Sequence, residues 1–179
     1  MLKSIAMVVV VLIAAVLLFA ATRPDSFRVQ RTLGIKAPPE KIFALIDDLH
    51  RFNTWNPFEK KDPNIKGAYS GPASGKGAKY SFDGNGNVGK GSIEITDASP
   101  PRQVSMELRM TAPIEARNAI EFSLEPHGDV TDVTWAMHGP VSFPAKIIHL
   151  FFNMDRMLGG DFEAGLASLK AAVEQPASR

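Results

Sequence analysis

The C-terminal stretch of the chain carries one continuous apolar stripe. Between Pro144 and Glu174, the residues Ile147, Leu150, Phe151, Met154, Leu158, Phe162, Leu166, Leu169 and Val173 recur three or four positions apart. That spacing places them on one face of an α-helix. A helix with so long an apolar face has to be covered along its whole length, so the rest of the chain must supply a broad apolar surface. Gly159-Gly160 interrupts the stripe. Each glycine costs about 1 kcal/mol relative to alanine inside a helix, which predicts a kink at that point.

The covering surface is legible upstream as period-two alternation. In QVSMELRM, Val104, Met106, Leu108 and Met110 fall on one face and Gln103, Ser105, Glu107 and Arg109 on the other, the pattern of a half-buried strand. IEFSLE and VTWAMH repeat it through Ile120, Phe122, Leu124 and through Val133, Trp135, Met137. Strands are predicted at about 65–71, 77–83, 87–96, 102–111, 117–126 and 130–139. The stretches SGPASGKG, DGNGN, ASPPR and EPHGD between them are turn compositions, which makes the connections antiparallel hairpins. Ahead of these, FRVQRTLGI alternates through Phe27, Val29, Leu33 and Ile35 as a first strand. Pro38 and Pro39 then open a helix with Ile42, Phe43 and Ile46 on one face, continued by Leu49 and Phe52. The corner RFNTWNPF comes next, with Trp55 beside the Asn56-Pro57 step.

The first residues belong to neither pattern. Ile5 to Ala21 is a run of seventeen apolar residues, preceded by Lys3 and closed by Thr22, Arg23 and Pro24. Eleven of them are Val, Leu, Ile or Phe, worth roughly 3 to 7 kcal/mol of insertion free energy, enough to commit the segment to lipid. It reads as an uncleaved membrane anchor, with a cleaved signal peptide as the alternative. A short N-terminal anchor ordinarily exports the domain attached to it, and the periplasmic or extracellular side is the expectation. The arginines at 23, 28 and 31 oppose that side under the positive-inside rule. The formal net charge of +1, with its cations scattered, excludes the basic footprint of a nucleic-acid binder. The absence of cysteine excludes disulfides and thiolate chemistry.

The segments FRVQRTLGIKAPPEKIFALIDDLHRFNTWNPF, SGPASGKGAKYSF, GKGSIEI, VTWAMHGP and MDRMLGGDFEAGLASLK, in that order, resemble the START or Bet v1-like (SRPBCC) superfamily and, within it, the bacterial polyketide cyclase/dehydrase-like group. The resemblance covers Phe27 to about Glu174. It implies an α+β helix-grip fold, in which a curved antiparallel sheet of about seven strands wraps a long C-terminal helix and encloses a cavity. The domain organisation expected is an anchor or signal peptide at 1–22, a short linker at 23–26, the helix-grip domain at 27–174 and a disordered tail at 175–179.

A membrane-tethered domain that binds a hydrophobic small molecule or lipid between sheet and helix is the function this implies. Its partners are the bilayer, through residues 5–21, and the ligand itself. Candidate lining residues are the adaptable methionines Met106, Met110, Met137 and Met154, with Tyr80, Phe82, Trp135, Phe151, Leu158 and Phe162. Each would serve equally in a dry core. Trp55 either walls the cavity or plugs the core beneath its corner. Arg31 interrupts the apolar face of the first strand, so it is either turned out by a bulge or paired inside with an acid or a ligand headgroup. The alternatives are a cyclase-like or hydrolase-like enzyme, in which two of Arg31, Tyr80, His138 and Asp161 converge on one substrate atom, and a protein-interaction module with a filled core. Gly84-Asn85-Gly86-Asn87-Val88-Gly89 matches a dinucleotide fingerprint but precedes a strand, which makes it a hairpin turn. His50, His127, His138 and His149 lack ligand spacing. Asp47-Asp48 and Glu59-Lys60-Lys61-Asp62 read as solvated charges. No catalytic residue, metal or cofactor is therefore assigned.

Overall fold

The computed structural model describes residues 2–151 and 153–174; the side chains of Leu2, His149 and Phe151 lie outside that description, as does the expected tail at 175–179. A helix α1 (Leu2–Ala21) leads into β1 (Ser26–Ile35), then α2 (Pro39–Ile46), α3 (Leu49–Trp55) and a 3-10 turn (Glu59–Lys61). Six strands come next: β2 (Lys66–Ser70), β3 (Lys79–Asp83), β4 (Lys90–Ser99), β5 (Gln103–Ala112), β6 (Ala116–His127) and β7 (Val130–Pro140). Two helices end the described chain, α4 (Phe143–Phe151) and α5 (Met154–Glu174).

The strands form one antiparallel sheet in the order β1-β7-β6-β5-β4-β3-β2, with α5 packed on β1 and β7. Pairing register decides which side chains share the inner face, because cross-strand partners point the same way. One inner row runs Val104, Phe122, Trp135, Arg31; the next runs Ile95, Met106, Ile120, Met137, Val29. The first of these rows meets the middle of α5. There the Trp135 ring stacks on Phe162 at 4.4 Å between centroids. A Cβ on Gly165 would stand 2.6 Å from Trp135 and 3.0 Å from Pro57, so glycine is what lets the helix lie this close.

Trp55 belongs to the same packed region. It is 1% exposed, meets Phe52, Phe122 and Trp135 edge-on at 4.8, 6.0 and 5.8 Å, and donates its indole N–H to the Leu45 carbonyl at 2.9 Å. The tryptophan at the proline corner thus plugs the core under α2 and α3. Asp48 is not a free solvated charge: its carboxylate accepts from the backbone N–H groups of His50 and Arg51 and caps α3.

Arg31 faces α5 from the edge strand β1, half-buried. The β1–β7 register runs unbroken from Ser26 to Ile35, so no bulge turns it out. Its guanidinium donates to Glu163 at 2.7 Å and to Asp155 at 2.9 and 3.1 Å, both on α5. Gly159-Gly160 lie within one continuous helix. A Cβ at 159 would collide with the Arg31 guanidinium, so the glycine makes room for the clamp and breaks nothing. The C-terminal helix does divide, but earlier: Asn153 precedes α5 as its N-cap, its side-chain oxygen accepting the Arg156 N–H at 3.0 Å.

The two neighbouring glycine environments generate opposite expectations. A Cβ on Gly160 meets nothing within 4 Å, so Gly160→Ala should stabilise by up to about 1 kcal/mol through helix propensity. Gly165→Ala forces Trp135 and Pro57 aside and should destabilise by about 1 to 3 kcal/mol. Denaturant unfolding of the full chain in detergent, monitored by tryptophan fluorescence, measures both; equal effects at the two positions would contradict the close approach.

Candidate ligand cavity

Toward the ends of β5 and β7, the inner face of the sheet changes character. The next rows run Tyr80, Ile93, Leu108, Asn118 and Phe82, Gly91, Met110, Ala116, and α5 no longer fills the space above them. Here α4 and the first turns of α5 form a roof of Ala145, Ile148, Met154, Met157 and Leu158 over a cavity of about 940 Å³, open on one side. The volume lies near the upper end of the range usual for small-molecule sites. The interior is therefore packed solid around Trp55 and Trp135 and hollow at the other end of the sheet.

Seven candidate residues line this space: Tyr80, Phe82, Met110, Trp135, Met137, Met154 and Leu158. Four others lie away from it. Met106 and Phe162 are buried in the solid region, Trp55 plugs it, and Arg31 is bound to α5. The side chain of Phe151 is outside the described residues. The walls are mostly apolar, and polar groups enter at few points. Glu59, Asn56, Asn87 and Asn118 are among them, together with the Tyr80 hydroxyl.

Glu59 is not the solvated charge that its sequence neighbours suggest. The 3-10 turn lays it against Tyr80, and the two share a hydrogen bond. Burial pushes the Glu59 carboxyl up from its ordinary value, opposed by the Tyr80 bond and reinforced by Asp62. Burial, the bond to Glu59 and the charge of that carboxylate hold the Tyr80 hydroxyl well above the usual phenol range. Tyr80 is thus a permanent hydrogen-bond donor at neutral pH. Its neighbour Asp62 is buried too, accepting from the backbone N–H groups of Asn64 at 3.0 Å and Asn85 at 2.7 Å. Nothing in the run EKKD distinguishes these acids from solvated ones, because a 3-10 turn this short leaves no periodicity to read. Trp135 lines the cavity, but its indole N–H is buried, with no hydrogen-bond partner among the described residues.

The four polar groups considered for catalysis do not converge. Arg31 is held by Asp155 and Glu163; Asp161 accepts from Lys61 at 2.6 Å; His138 lies 3.4 Å from Glu121; only Tyr80 lines the cavity. The Gly84–Gly89 segment connects β3 to β4 as a turn, the Asn85 side chain accepting the Asn87 N–H at 2.9 Å. No group of three or more acids and histidines is arranged to hold a metal ion among the described residues.

This architecture has counterparts among solved structures. The chain is similar to the protein CV1439 from Chromobacterium violaceum, at 16% identity, with 86% of this chain and 100% of that one covered and a TM-score of 0.59. It is similar to major latex-like protein 151 of Panax ginseng, at 12% identity, 85% and 100% coverage and a TM-score of 0.60. The Aha1 dimer protein of Colwellia psychrerythraea is 23% identical, with 85% and 99% covered and a TM-score of 0.56. At these identities the likeness is one of fold. No curated protein matches the chain. The family model described as polyketide cyclase / dehydrase and lipid transport matches residues 26–174, from the first strand to the end of the last helix, and the chain with its Bet v1-like helix-grip fold belongs to that family.

Proposed function

We propose that this chain is a membrane-tethered binding domain that takes up a hydrophobic small molecule or a lipid in the cavity between the sheet, α4 and the start of α5. The observation that carries the reading is the cavity itself: about 940 Å³ of mainly apolar wall in a domain whose other half is closely packed. A void of that size forfeits dispersion contacts along its whole lining. A protein that needed only stability would fill it. The Tyr80 hydroxyl spends its one proton on Glu59, so polar recognition of an otherwise apolar guest falls to other lining groups, Asn87 and Asn118 among them. The α1 helix supplies the tether, since its length and composition suffice to cross a bilayer. A short linker then raises the effective concentration of any ligand that partitions into lipid.

Native mass spectrometry of the full chain released from mild detergent tests this. The wild type is expected to carry a bound apolar molecule. Leu108→Trp, which places an indole inside the cavity, is expected to retain at most about a tenth of that occupancy, a loss of about 1.4 kcal/mol or more, with its circular dichroism unchanged. Equal occupancy in both proteins, or none in either, would overturn the proposal.

Glu59 yields a second expectation. Its folded-state value is raised above the ordinary 4.5, so its contribution to stability is full below that value and is lost as pH rises through the raised one. Glu59→Gln removes this loss. The variant's melting temperature should match the wild type near pH 4 and exceed it increasingly toward pH 7; a difference independent of pH would place Glu59 in an unburied setting.

A further inference from the structure

The mouth of the cavity and the membrane helix meet at the same end of the molecule. Residues 3 to 19 of α1 are all exposed, whereas Ala20, in its last turn, is fully buried where α1 packs on α4. Four residues, Thr22 to Asp25, separate α1 from β1, a reach of at most about 14 Å. Two contacts hold that connection against the β7–α4 junction: the Val141 N–H donates to the Asp25 carbonyl at 2.7 Å, and the Lys146 ammonium, 6% exposed as a residue, meets the Asp25 carboxylate at 2.5 Å. Asp25 and Val141 are themselves part of the cavity lining.

Around this opening exposed apolar side chains gather, interspersed with the exposed charges of Asp25, Glu115 and Arg117. Ile114, in the β5–β6 turn, is 60% exposed; Phe143 and Ile148 on α4 are 45% and 42% exposed; Met157 on α5 is 56% exposed. Three of them, Ile114, Ile148 and Met157, also line the cavity. Beyond the rim, the exposed large apolar side chains belong mainly to α1, with Tyr69 the exception among the described residues. The apolar part of the rim on α4 thus adjoins the end of α1, and the charges beside it suit a headgroup region.

We infer that the cavity opens onto the bilayer: α4 lies in the membrane interface beside the end of α1, with Ile114, Phe143, Ile148 and Met157 seated among the lipid headgroups, so that a ligand moves between lipid and cavity without crossing bulk water. The inference rests on the tethering proposed above. An amphipathic helix lying in the interface plane is a stable arrangement. Here Lys146 is itself buried, its ammonium meeting the exposed Asp25 carboxylate, so the exposed side chains of α4 among the described residues, Phe143, Pro144 and Ile148, are apolar.

The chain has no cysteine, so single labels report cleanly. Ile148→Cys and Ile114→Cys, and Asp129→Cys as a control, would each be made in the full chain, labelled with an environment-sensitive fluorophore and reconstituted in phosphatidylcholine vesicles carrying headgroup-level nitroxide quenchers. Asp129 sits in the β6–β7 turn, at the far end of an eleven-residue strand from Pro140, about 30 Å or more away. The expected result is quenching at 148 and 114 at least threefold that at 129. Equal quenching at all three sites overturns the inference. So does lipid-independent quenching between labelled copies at 148, which would assign the rim to a second copy of the chain. Labelled protein that fails to remain with the vesicles overturns the tether and this inference together. Label depth does not depend on bound ligand, so an empty cavity in mass spectrometry and a shallow label in vesicles are separate failures.

Discussion

The close approach of α5 to the sheet at Gly165 sets the shape of everything else. With no side chain there, the helix descends onto Trp135, and the indole stacks on Phe162 while Trp55 and Phe52 close in edge-on. Six residues earlier Gly159 admits the Arg31 guanidinium, which binds the carboxylates of Asp155 and Glu163 on the helix. The helix is thereby fixed in height and in rotation along its middle. Toward its start the support thins: the outermost inner row of the sheet alternates Phe82 and Met110 with Gly91 and Ala116. A rigid rod pinned at one half and thinly supported at the other encloses a hollow.

Much of this was legible in the residues. Alternation located each strand to within about three residues, because one face of an antiparallel sheet is buried and the other wet. The apolar stripe identified the gripped helix for the same reason. What local pattern could not disclose was height. Gly159 looks like an interruption when only propensity is weighed, and it and Gly165 become close-contact residues once Arg31 and Trp135 arrive from strands distant in the chain. The division at Asn153 was equally opaque, since the apolar stripe runs through both helices and hides the capping residue between them.

The site was legible in kind more than in membership. Seven of the candidate side chains line the cavity, because residues that alternate onto the inner face have only two destinations, packed core or cavity wall. The choice between them depends on which row of the sheet meets the pinned half of α5, and register is a property of pairs of strands. That is why Met106 and Met110, both on the inner face of β5, end in different surroundings. The acid Glu59 was hidden for a different reason: its neighbours are three charged residues, and only the tertiary placement of the turn against Tyr80 withdraws it from water.

The separation of rows also bears on how such a chain tolerates change. Side chains that secure the fold, such as Phe122, Phe162 and Leu166, sit in strata apart from most of those that face the void, with Trp135 at the boundary. Replacing a methionine or leucine at the void leaves the stacked indole and the guanidinium clamp untouched. A lineage carrying this framework therefore has latitude to remould the guest space, one wall at a time, while its architecture stays in place.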